Sequence, residues 1–240
     1  MPADSSAPRI LAVGAHPDDI EFGCGGILLA EAARGSEISL CVCSRGEAAS
    51  HGTPDERADE ARAAAGLLGA SLEFLEMGGD CALEASAANT IALARRIRAL
   101  RPEVLLCPTR TPEQHPDHIA VGQLCERAAR LARYGGLDEL RDLPPHRITH
   151  LFGYAVTPAA APARDRTALR VDISAHFERW LQLMRWHATQ LRTRNYIELQ
   201  TARARLLGVE AGVEYAQALF CTDDLLIETL GDLPVSVRLF

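Results

Sequence analysis

Short apolar runs alternate with longer amphipathic stretches along the first two-thirds of the chain. Each short run is bounded by Gly, Pro or polar residues, which is typical of a buried strand. The longer stretches end at Gly or Pro, as helices commonly do. The pattern predicts strands over 9–15, 37–43, 71–75 and 103–107, and helices over 23–34, 54–68, 85–100 and 116–133.

The last third of the chain is less regular, and it contains neither internal repeats nor a low-complexity linker. Its pattern predicts, in chain order, a strand over 148–156, a Pro- and Ala-rich loop over 157–166, a strand over 168–173, a helix over 174–191 and a helix over 196–207. Because no linker separates these elements from the first set, we expect one domain over 1–240.

Four consecutive strand–helix units predict a particular architecture. Such units join through right-handed crossovers and build a mainly parallel sheet with helices on both faces. We therefore expect an α/β fold with a Rossmann-like part over 1–135 and a smaller β/helical extension over 136–240, which completes the site and offers subunit contacts. Sheets of this kind bind ligands beyond the carboxyl ends of their strands.

Charge and composition exclude several classes of function. The 240 residues are 48% hydrophobic and 24% charged, which is ordinary for a globular protein. With 25 cations against 32 anions the net charge is −7, so we expect neither nucleic acid nor a membrane as partner. All 25 cations are arginine, which excludes a Schiff-base lysine and a lysine-containing phosphate loop.

The cysteines and the amino terminus predict a cytoplasmic protein. The seven cysteines are odd in number and form no C-x-x-C pair, so we expect reduced thiols. Residues 1–10 lack the apolar core of a signal peptide. No uncharged apolar run reaches the roughly 18 residues that a membrane span needs.

Two clusters of histidine and aspartate follow predicted strands. Residues 16–19 (HPDD) come directly after the first strand, and residues 115–118 (HPDH) lie between the fourth strand and its helix. Either segment alone could be a helix start, with Pro in the first turn and Asp facing the positive end of the helix dipole. Two of them at the carboxyl edge of one parallel sheet favour a metal site.

This set of residues suits zinc-assisted hydrolysis. A catalytic zinc binds three protein ligands and one water, whose pKa falls toward ~7. A carboxylate outside the ligand set can take the proton of that water, and an imidazole can stabilise the oxyanion. His16, one of Asp18 and Asp19, and one of His115 and His118 can supply the ligands. The spacing does not decide which member of each pair is a ligand.

Several motifs together carry a family resemblance. They are AHPDD at 15–19, HPDH at 115–118, and the stretches 21–26, 45–47, 51–61 and 211–216. On these motifs the chain resembles the PIG-L/LmbE-like family of zinc-dependent N-acetylglucosaminyl deacetylases, in particular the branch with the bacillithiol-pathway deacetylases. Two features depart from the family pattern: Ile20 replaces a common acidic residue, and the segment after Gln190 is shorter than the substrate-covering insertion of the bacillithiol-type enzymes.

The resemblance implies a reaction and a set of ligands. The expected activity is hydrolytic removal of an N-acetyl group from an N-acetylglucosamine-type small molecule. His16, Asp19 and His118 would bind the metal, and Asp18 would be the general base that activates water. The alternative is a metal-dependent amidase that cleaves a larger acyl group from an amino-sugar thiol conjugate, since the short segment after Gln190 leaves room for it.

The resemblance also implies contacts outside the ligand set. His115 would act as electrophile and acid at the acetyl carbonyl, with Asp117 tuning it. Glu47, Arg57 and Asp80 would contact the sugar hydroxyls or the aglycone. The expected cofactor is Zn²⁺, and two imidazoles with a carboxylate also suit Fe²⁺ or Co²⁺.

The remaining candidates are predicted to be structural. The first strand–helix turn lacks the G-x-G-x-x-G of a nucleotide-binding domain. Trp180 and Trp186 are expected in the core or at a subunit contact, because members of the resembled family are often homo-oligomers. The histidines outside the motifs are expected to be caps or packing residues: His51, His146, His150, His176 and His187.

Overall fold

The computed structural model describes residues 7–162 and 167–237. Its strands are β1 (Arg9–Gly14), β2 (Glu37–Val42), β3 (Ser71–Phe74), β4 (Val104–Pro108), β5 (His150–Tyr154), β6 (Ala168–Asp172) and β7 (Ala216–Cys221). Its α-helices are α1 (Asp19–Ala33), α2 (Pro54–Leu68), α3 (Ala87–Leu100), α4 (Pro116–Leu131), α5 (Phe177–Arg185) and α6 (Tyr196–Ala211).

The strands form one sheet in the order β3-β2-β1-β4-β5-β7-β6. Strands β1 to β5 run parallel, whereas β7 is antiparallel to both β5 and β6. The connections leave β1 toward β2 on one side and return to β4 on the other, so a ligand crevice opens at the carboxyl ends of β1 and β4. This confirms the predicted α/β fold and the mainly parallel sheet.

Helices cover both faces of this sheet. Alternate residues of β1 enter two separate buried clusters, Ile10 and Ala12 in one and Leu11 and Val13 in the other. The first cluster includes residues of α1, α2 and α5, and the second includes residues of α3 and α4. Trp180 belongs to the first cluster, as predicted for a core residue. Among the described residues no helix combines the length and the apolar character that crossing a bilayer requires.

Local caps explain why α2 and α3 begin close to where the sequence predicts. Thr53 and Glu56 form a capping box, in which each side chain accepts the backbone N–H of the other. The side chain of Ser86 accepts the N–H of Asn89 at the start of α3. Helix α2 ends at Gly69, whose φ of 75° suits glycine.

Helix α1 begins at Asp19, earlier than the predicted start at residue 23. The structure adds residues 19–22 ahead of the predicted helix, which already contained glycines at 23, 25 and 26 in spite of their low helix propensity. In the fold they are needed for close packing: a Cβ on Gly23 would lie 2.3 Å from the Tyr154 ring, and one on Gly26 would lie 2.8 Å from Gln217 Oε1. The earlier start places Asp19 in the first turn of the helix.

The C-terminal third differs most from the sequence prediction. The helix predicted over 174–191 is shorter, because α5 ends at Arg185 and 3-10 turns occupy Ser174–His176 and Gln190–Arg192. Strand β7 has no counterpart among the predicted strands, since it is defined by pairing with distant β5 and β6. The strand predicted over 168–173 is confirmed as β6. Residues 163–166 of the predicted loop lie outside the described residues.

Candidate metal centre

The HPDD motif folds around the carboxylate of Asp19. Residues 15–18 make the turn between β1 and α1. The Oδ2 atom of Asp19 accepts the backbone N–H groups of Ala15 at 2.9 Å and His16 at 2.8 Å. These two hydrogen bonds fix the carboxylate and leave Oδ1 for another partner.

The HPDH motif forms the start of α4. His115 is the N-cap residue, and its Nδ1 atom accepts the backbone N–H of Asp117 at 3.3 Å. Pro116 takes the first helical position, where its missing N–H costs no hydrogen bond. Asp117 and His118 follow in the first turn and are buried.

Three side chains from the two motifs meet at one point. His118 Nε2 lies 3.0 Å from Asp19 Oδ1 and 3.3 Å from His16 Nδ1. His16 Nδ1 lies 3.6 Å from Asp19 Oδ2. Atoms bound at ~2.0–2.1 Å to one tetrahedral ion lie ~3.4 Å apart, so the two separations from His118 Nε2 fit a single divalent ion. One ligand atom from each of the three residues lies within 4.8 Å of the other two. The structure therefore brings together the three residues that the family resemblance assigns as ligands.

A hydrogen bond on the far side of His118 orients its ring. His118 Nδ1 contacts Gln114 Oε1 at 3.0 Å, and Gln114 Nε2 donates to Thr109 Oγ1 at 2.8 Å. An N–H on Nδ1 leaves the Nε2 lone pair of His118 for a metal. Gln114 is not among the predicted site residues, although its position directly before the HPDH motif is a signal that could have found it.

Two carboxylates share the far side of His16. Its Nε2 atom lies 3.0 Å from Asp80 Oδ1 and 3.1 Å from Asp117 Oδ2. Burial by itself lowers the pKa of His16, but the carboxylates of Asp117, Asp19 and Asp80 outweigh it and raise that pKa to about 12. The surroundings of His16 thus strongly favour positive charge, which a divalent cation also requires.

Asp18 borders the ligands and has an unusual backbone. Its φ of 116° lies in the left-handed region that non-glycine residues rarely adopt. Burial and the charge of Asp19 raise the pKa of Asp18 to about 7, while Arg57 and His187 oppose that shift. A carboxylate with a pKa near neutrality can both take and return a proton, which suits the predicted general base.

Arg57 connects Asp18 to the loop between β2 and α2. Its Nη2 atom lies 3.7 Å from Asp18 Oδ1 and donates to the carbonyl of Pro17 at 2.8 Å, while Nη1 donates to the carbonyl of Gly46 at 3.2 Å. A Cβ on Gly46 would overlap the guanidinium, so this position requires glycine. Arg57 is 3% exposed, and its predicted contact with the substrate stays a prediction.

His115 lies at the open side of the cluster. It is exposed, and its ring centre is 5.2 Å from that of His16 and 5.6 Å from that of His118. Burial and the charges of His16 and His118 lower the pKa of His115, which the charge of Asp117 opposes. The Asp117 carboxylate itself contacts His16, while its backbone N–H donates to His115 Nδ1, and its predicted tuning of His115 stays a prediction.

Glu47 and Asp80 connect two neighbouring loops. Glu47 accepts the N–H of Arg45 at 2.9 Å and that of Asp80 at 2.8 Å. Burial by itself raises the pKa of Glu47, but these backbone N–H groups outweigh burial, so the pKa is lowered overall. Asp80 Oδ2 accepts the N–H of Ala48 at 3.2 Å. Glu47 is the exposed member of the pair, and contact of either residue with a sugar stays a prediction.

His187 is a buried neighbour of the site that no sequence motif indicates. It is fully buried, its ring packs against Phe22, and its Nε2 atom lies 3.5 Å from Glu21 Oε2. Burial lowers the pKa of His187, but Glu21 and Asp18 outweigh it and raise that pKa. In the described part of the chain His187 is not a member of the candidate ligand cluster, and the packing role predicted for it stays a prediction.

Fold and site together define an α/β protein with a candidate divalent-metal centre at the carboxyl edge of its parallel strands. A family profile described as PIG-L, GlcNAc-PI de-N-acetylase, matches residues 11–129, which contain both motifs. The chain belongs to the PIG-L family.

Known proteins extend this likeness over most of the chain. A 1D-myo-inositol 2-acetamido-2-deoxy-alpha-D-glucopyranoside deacetylase from Nakamurella multipartita is 30% identical, over 76% of this chain and 80% of its own. A second deacetylase of this name, from Catenulispora acidiphila, is 27% identical over 96% of this chain and 95% of its own. The crystal structure of a conserved protein from Thermus thermophilus has a TM-score of 0.80 at 31% identity, covering 92% of this chain and 97% of its own.

Proposed function

We propose that the protein is a metal-dependent hydrolase that removes the N-acetyl group from an N-acetylglucosamine-type substrate. The observation that carries this proposal is the meeting of His16 Nδ1, Asp19 Oδ1 and His118 Nε2 at the crevice of the sheet. Two imidazoles and one carboxylate leave a position for water, as catalytic zinc sites do. Family membership and the deacetylase names of the relatives support an acetylated amino sugar as the substrate class.

The proposed cofactor is Zn²⁺, held by His16, Asp19 and His118, and the same donor set accepts Fe²⁺ or Co²⁺. When bound, the ion supplies a Lewis acid and lowers the pKa of a water. Asp18 takes the proton of the attacking water, since it is adjacent in sequence to a ligand and has a pKa of about 7. Arg57, at 3.7 Å, favours the ionised form that this role needs.

We assign His115 the roles of electrophile at the acetyl carbonyl and acid toward the leaving amine. It is the exposed imidazole of the cluster, and its ring stands edge-on to that of His16. In the neutral ring Nδ1 accepts the backbone N–H of Asp117, so the N–H offered to the acetyl carbonyl is on Nε2. The role of acid needs the imidazolium, which the charge of Asp117 favours and in which Nδ1 no longer accepts that N–H.

Glu47, Arg57 and Asp80 are proposed to shape the side of the site that receives the sugar. Glu47 is exposed, and each carboxylate oxygen that accepts one backbone N–H retains a lone pair for a hydroxyl group. Arg57 and Asp80 are engaged with protein atoms, so they hold the surrounding loops in the receptive conformation.

We further propose a cytoplasmic homo-oligomer. All seven cysteines are free thiols, which suits a reducing compartment. Trp186, Leu206 and Val209 are 46%, 60% and 62% exposed in the single chain. Exposed large apolar side chains suit a subunit contact.

The test is the release of acetate and free amine from a panel of N-acetylglucosamine conjugates by the purified protein. Release is expected to stop with a chelator, to return with Zn²⁺, and to be lost in Asp18→Ala. Release that continues both in the chelator and in Asp18→Ala would contradict the proposal.

The second candidate is an amidase that acts on larger acyl groups. It is favoured by the short connection after α5, where a single 3-10 turn at Gln190–Arg192 leads to α6 at Tyr196. Substrates that carry acetyl and bulkier acyl groups on the same amino sugar separate the two activities. A higher kcat/KM for the bulky acyl group would replace the deacetylase assignment.

A further inference from the structure

Asp80 reaches one of the candidate metal ligands from a separate loop. The loop between β3 and α3 brings Asp80 Oδ1 to 3.0 Å from His16 Nε2. Asp117 Oδ2, from the first turn of α4, lies 3.1 Å from the same nitrogen. One imidazole N–H therefore faces two carboxylates that come from two independent elements.

The loop that carries Asp80 has a backbone conformation which its surroundings must maintain. Residues seldom adopt the left-handed region unless they are glycine or are held there by tertiary contacts. The N–H of Met77 donates to the carbonyl of Cys43 at 2.8 Å, which joins the loop to the end of β2. Positive φ values occur at four positions of the loop: Glu76, Gly78, Gly79 and Cys81.

Hydrogen bonds hold Asp80 from both sides. Its N–H donates to Glu47 Oε2 at 2.8 Å, and its Oδ2 atom accepts the N–H of Ala48 at 3.2 Å. The next residue, Cys81, donates its N–H to Asp117 Oδ2 at 2.7 Å. These bonds leave Asp80 Oδ1 directed at His16 and connect Asp117 to the same loop.

We propose that Asp80 is a positioning residue for the metal ligand His16, and that Asp80 and Asp117 together set the affinity of the site for its ion. This inference rests on the proposed metal role of His16. A histidine ligand whose far N–H donates to a carboxylate is fixed in tautomer and orientation and becomes a stronger donor. Since both carboxylates reach the same N–H, each partly compensates for loss of the other.

The experiment measures Zn²⁺ affinity of the full-length chain by competition with a chelator, in the wild type, Asp80→Asn, Asp117→Asn and the double variant. Each single variant is expected to bind Zn²⁺ roughly tenfold more weakly. The double variant should lose more than the product of the two single effects, because no carboxylate remains on His16 Nε2. The matched control is Glu76→Gln, in the same loop, whose carboxylate pairs with Arg45 at 2.8 Å. Its affinity should equal that of the wild type.

A second measurement separates positioning from a general loss of structure. In the Co²⁺-loaded protein, the exchangeable Nε2 proton of His16 should shift in the proton NMR spectrum and exchange faster with water in Asp80→Asn. Thermal unfolding of the metal-free variants checks the fold. If Asp80→Asn fails to fold, Asp80→Glu replaces it; this variant keeps the charge and should bind Zn²⁺ with intermediate affinity.

Wild-type Zn²⁺ affinity in Asp80→Asn and in the double variant, together with a raised KM for the amino sugar, would overturn the proposal and assign Asp80 to the substrate. A protein that shows the affinity differences but deacetylates no member of the panel would contradict the proposed function alone. A wild-type chain that binds no Zn²⁺ would overturn both.

Discussion

The Nε2 atom of His118 lies 3.3 Å from the Nδ1 atom of His16, although 102 residues separate them in sequence. Facing lone pairs of two imidazoles repel each other, so this approach needs a proton or a cation at the same point. Asp19 Oδ1, at 3.0 Å from His118 Nε2, adds negative charge there. His16 and His118, together with Asp19, therefore form a site that favours a positive charge even without substrate.

Asp19→Ala is expected to remove the bound metal and to weaken Zn²⁺ affinity by at least about a hundredfold. Loss of a residue that only hydrogen-bonds to a metal ligand already weakens metal affinity by roughly 10–100-fold, and loss of a ligand itself should cost more. The N–H groups of Ala15 and His16 also lose their acceptor, at a cost of about 1–3 kcal/mol in the free energy of unfolding. Metal analysis and denaturant unfolding check both effects. Asp55→Ala, whose side chain is 92% exposed, is the matched control. Stoichiometric metal in Asp19→Ala would remove this residue from the ligand set.

Asp18→Asn should separate chemistry from metal binding. The amide keeps the size of the side chain but cannot accept the proton of water, so kcat should fall by roughly 10²–10⁴. The metal content should remain that of the wild type, because Asp18 is not one of the three converging ligands. Steady-state kinetics and metal analysis on the same sample test this expectation. Loss of metal in Asp18→Asn would make Asp18 a ligand.

Arg57→Met should shift the pH dependence of the reaction. Asp18, the proposed base, works when ionised, so activity should rise with pH through its pKa, which is about 7. Arg57 lowers that pKa, and its removal should move the rising limb to higher pH by about one unit. Arg57→Lys retains the charge and should restore most of the wild-type profile. Identical limbs in wild type and Arg57→Met would show that another group titrates.

His187→Gln should destabilise the protein in a pH-dependent way. Glu21 and Asp18 raise the pKa of His187 above its ordinary value of 6.5. A raised pKa contributes stability that is fully present below the unfolded value and is lost as the pH rises through the folded value. The variant should therefore lose roughly 3 kcal/mol near pH 6 and less at alkaline pH. His150→Gln, at an exposed position, is the control, and a pH-independent difference would contradict the pairing with Glu21.

Two helical glycines should respond oppositely to alanine. A Cβ on Gly23 in α1 would meet the Tyr154 ring at 2.3 Å, so Gly23→Ala should lower the free energy of unfolding by about 1–3 kcal/mol. A Cβ on Gly66 in α2 has nothing within 4 Å, so Gly66→Ala should raise it by about 0.5–1 kcal/mol. Denaturant unfolding of both variants measures the contrast. Equal effects would mean that propensity, and not packing, controls α1.

Local sequence was sufficient for the parts of this protein that depend on near neighbours. The hydrophobic pattern predicted β1 to β4 and their helices, because the alternation of buried positions and caps such as Thr53 depend only on residues a few positions apart. It failed at the start of α1 and at β7. In those places, the contact of Asp19 with His118 and the pairing of β7 with β5 involve residues more than 60 positions away.

The candidate site divides in the same way. The two His–Asp motifs and their positions after parallel strands are properties of the sequence, and they predict that residues 16–19 and 115–118 can meet, because parallel strands end at one edge. The choice of His16, Asp19 and His118 among them came from the family resemblance. Only the tertiary structure decided that Asp117 and Asp80 contact His16, that Arg57 is buried beside Asp18, and that Gln114 orients His118. Which side chains come into contact depends on how whole helices and strands pack, and that packing fixes the distance between two side chains to within fractions of an ångström. The spacing of residues along the chain does not encode such a distance.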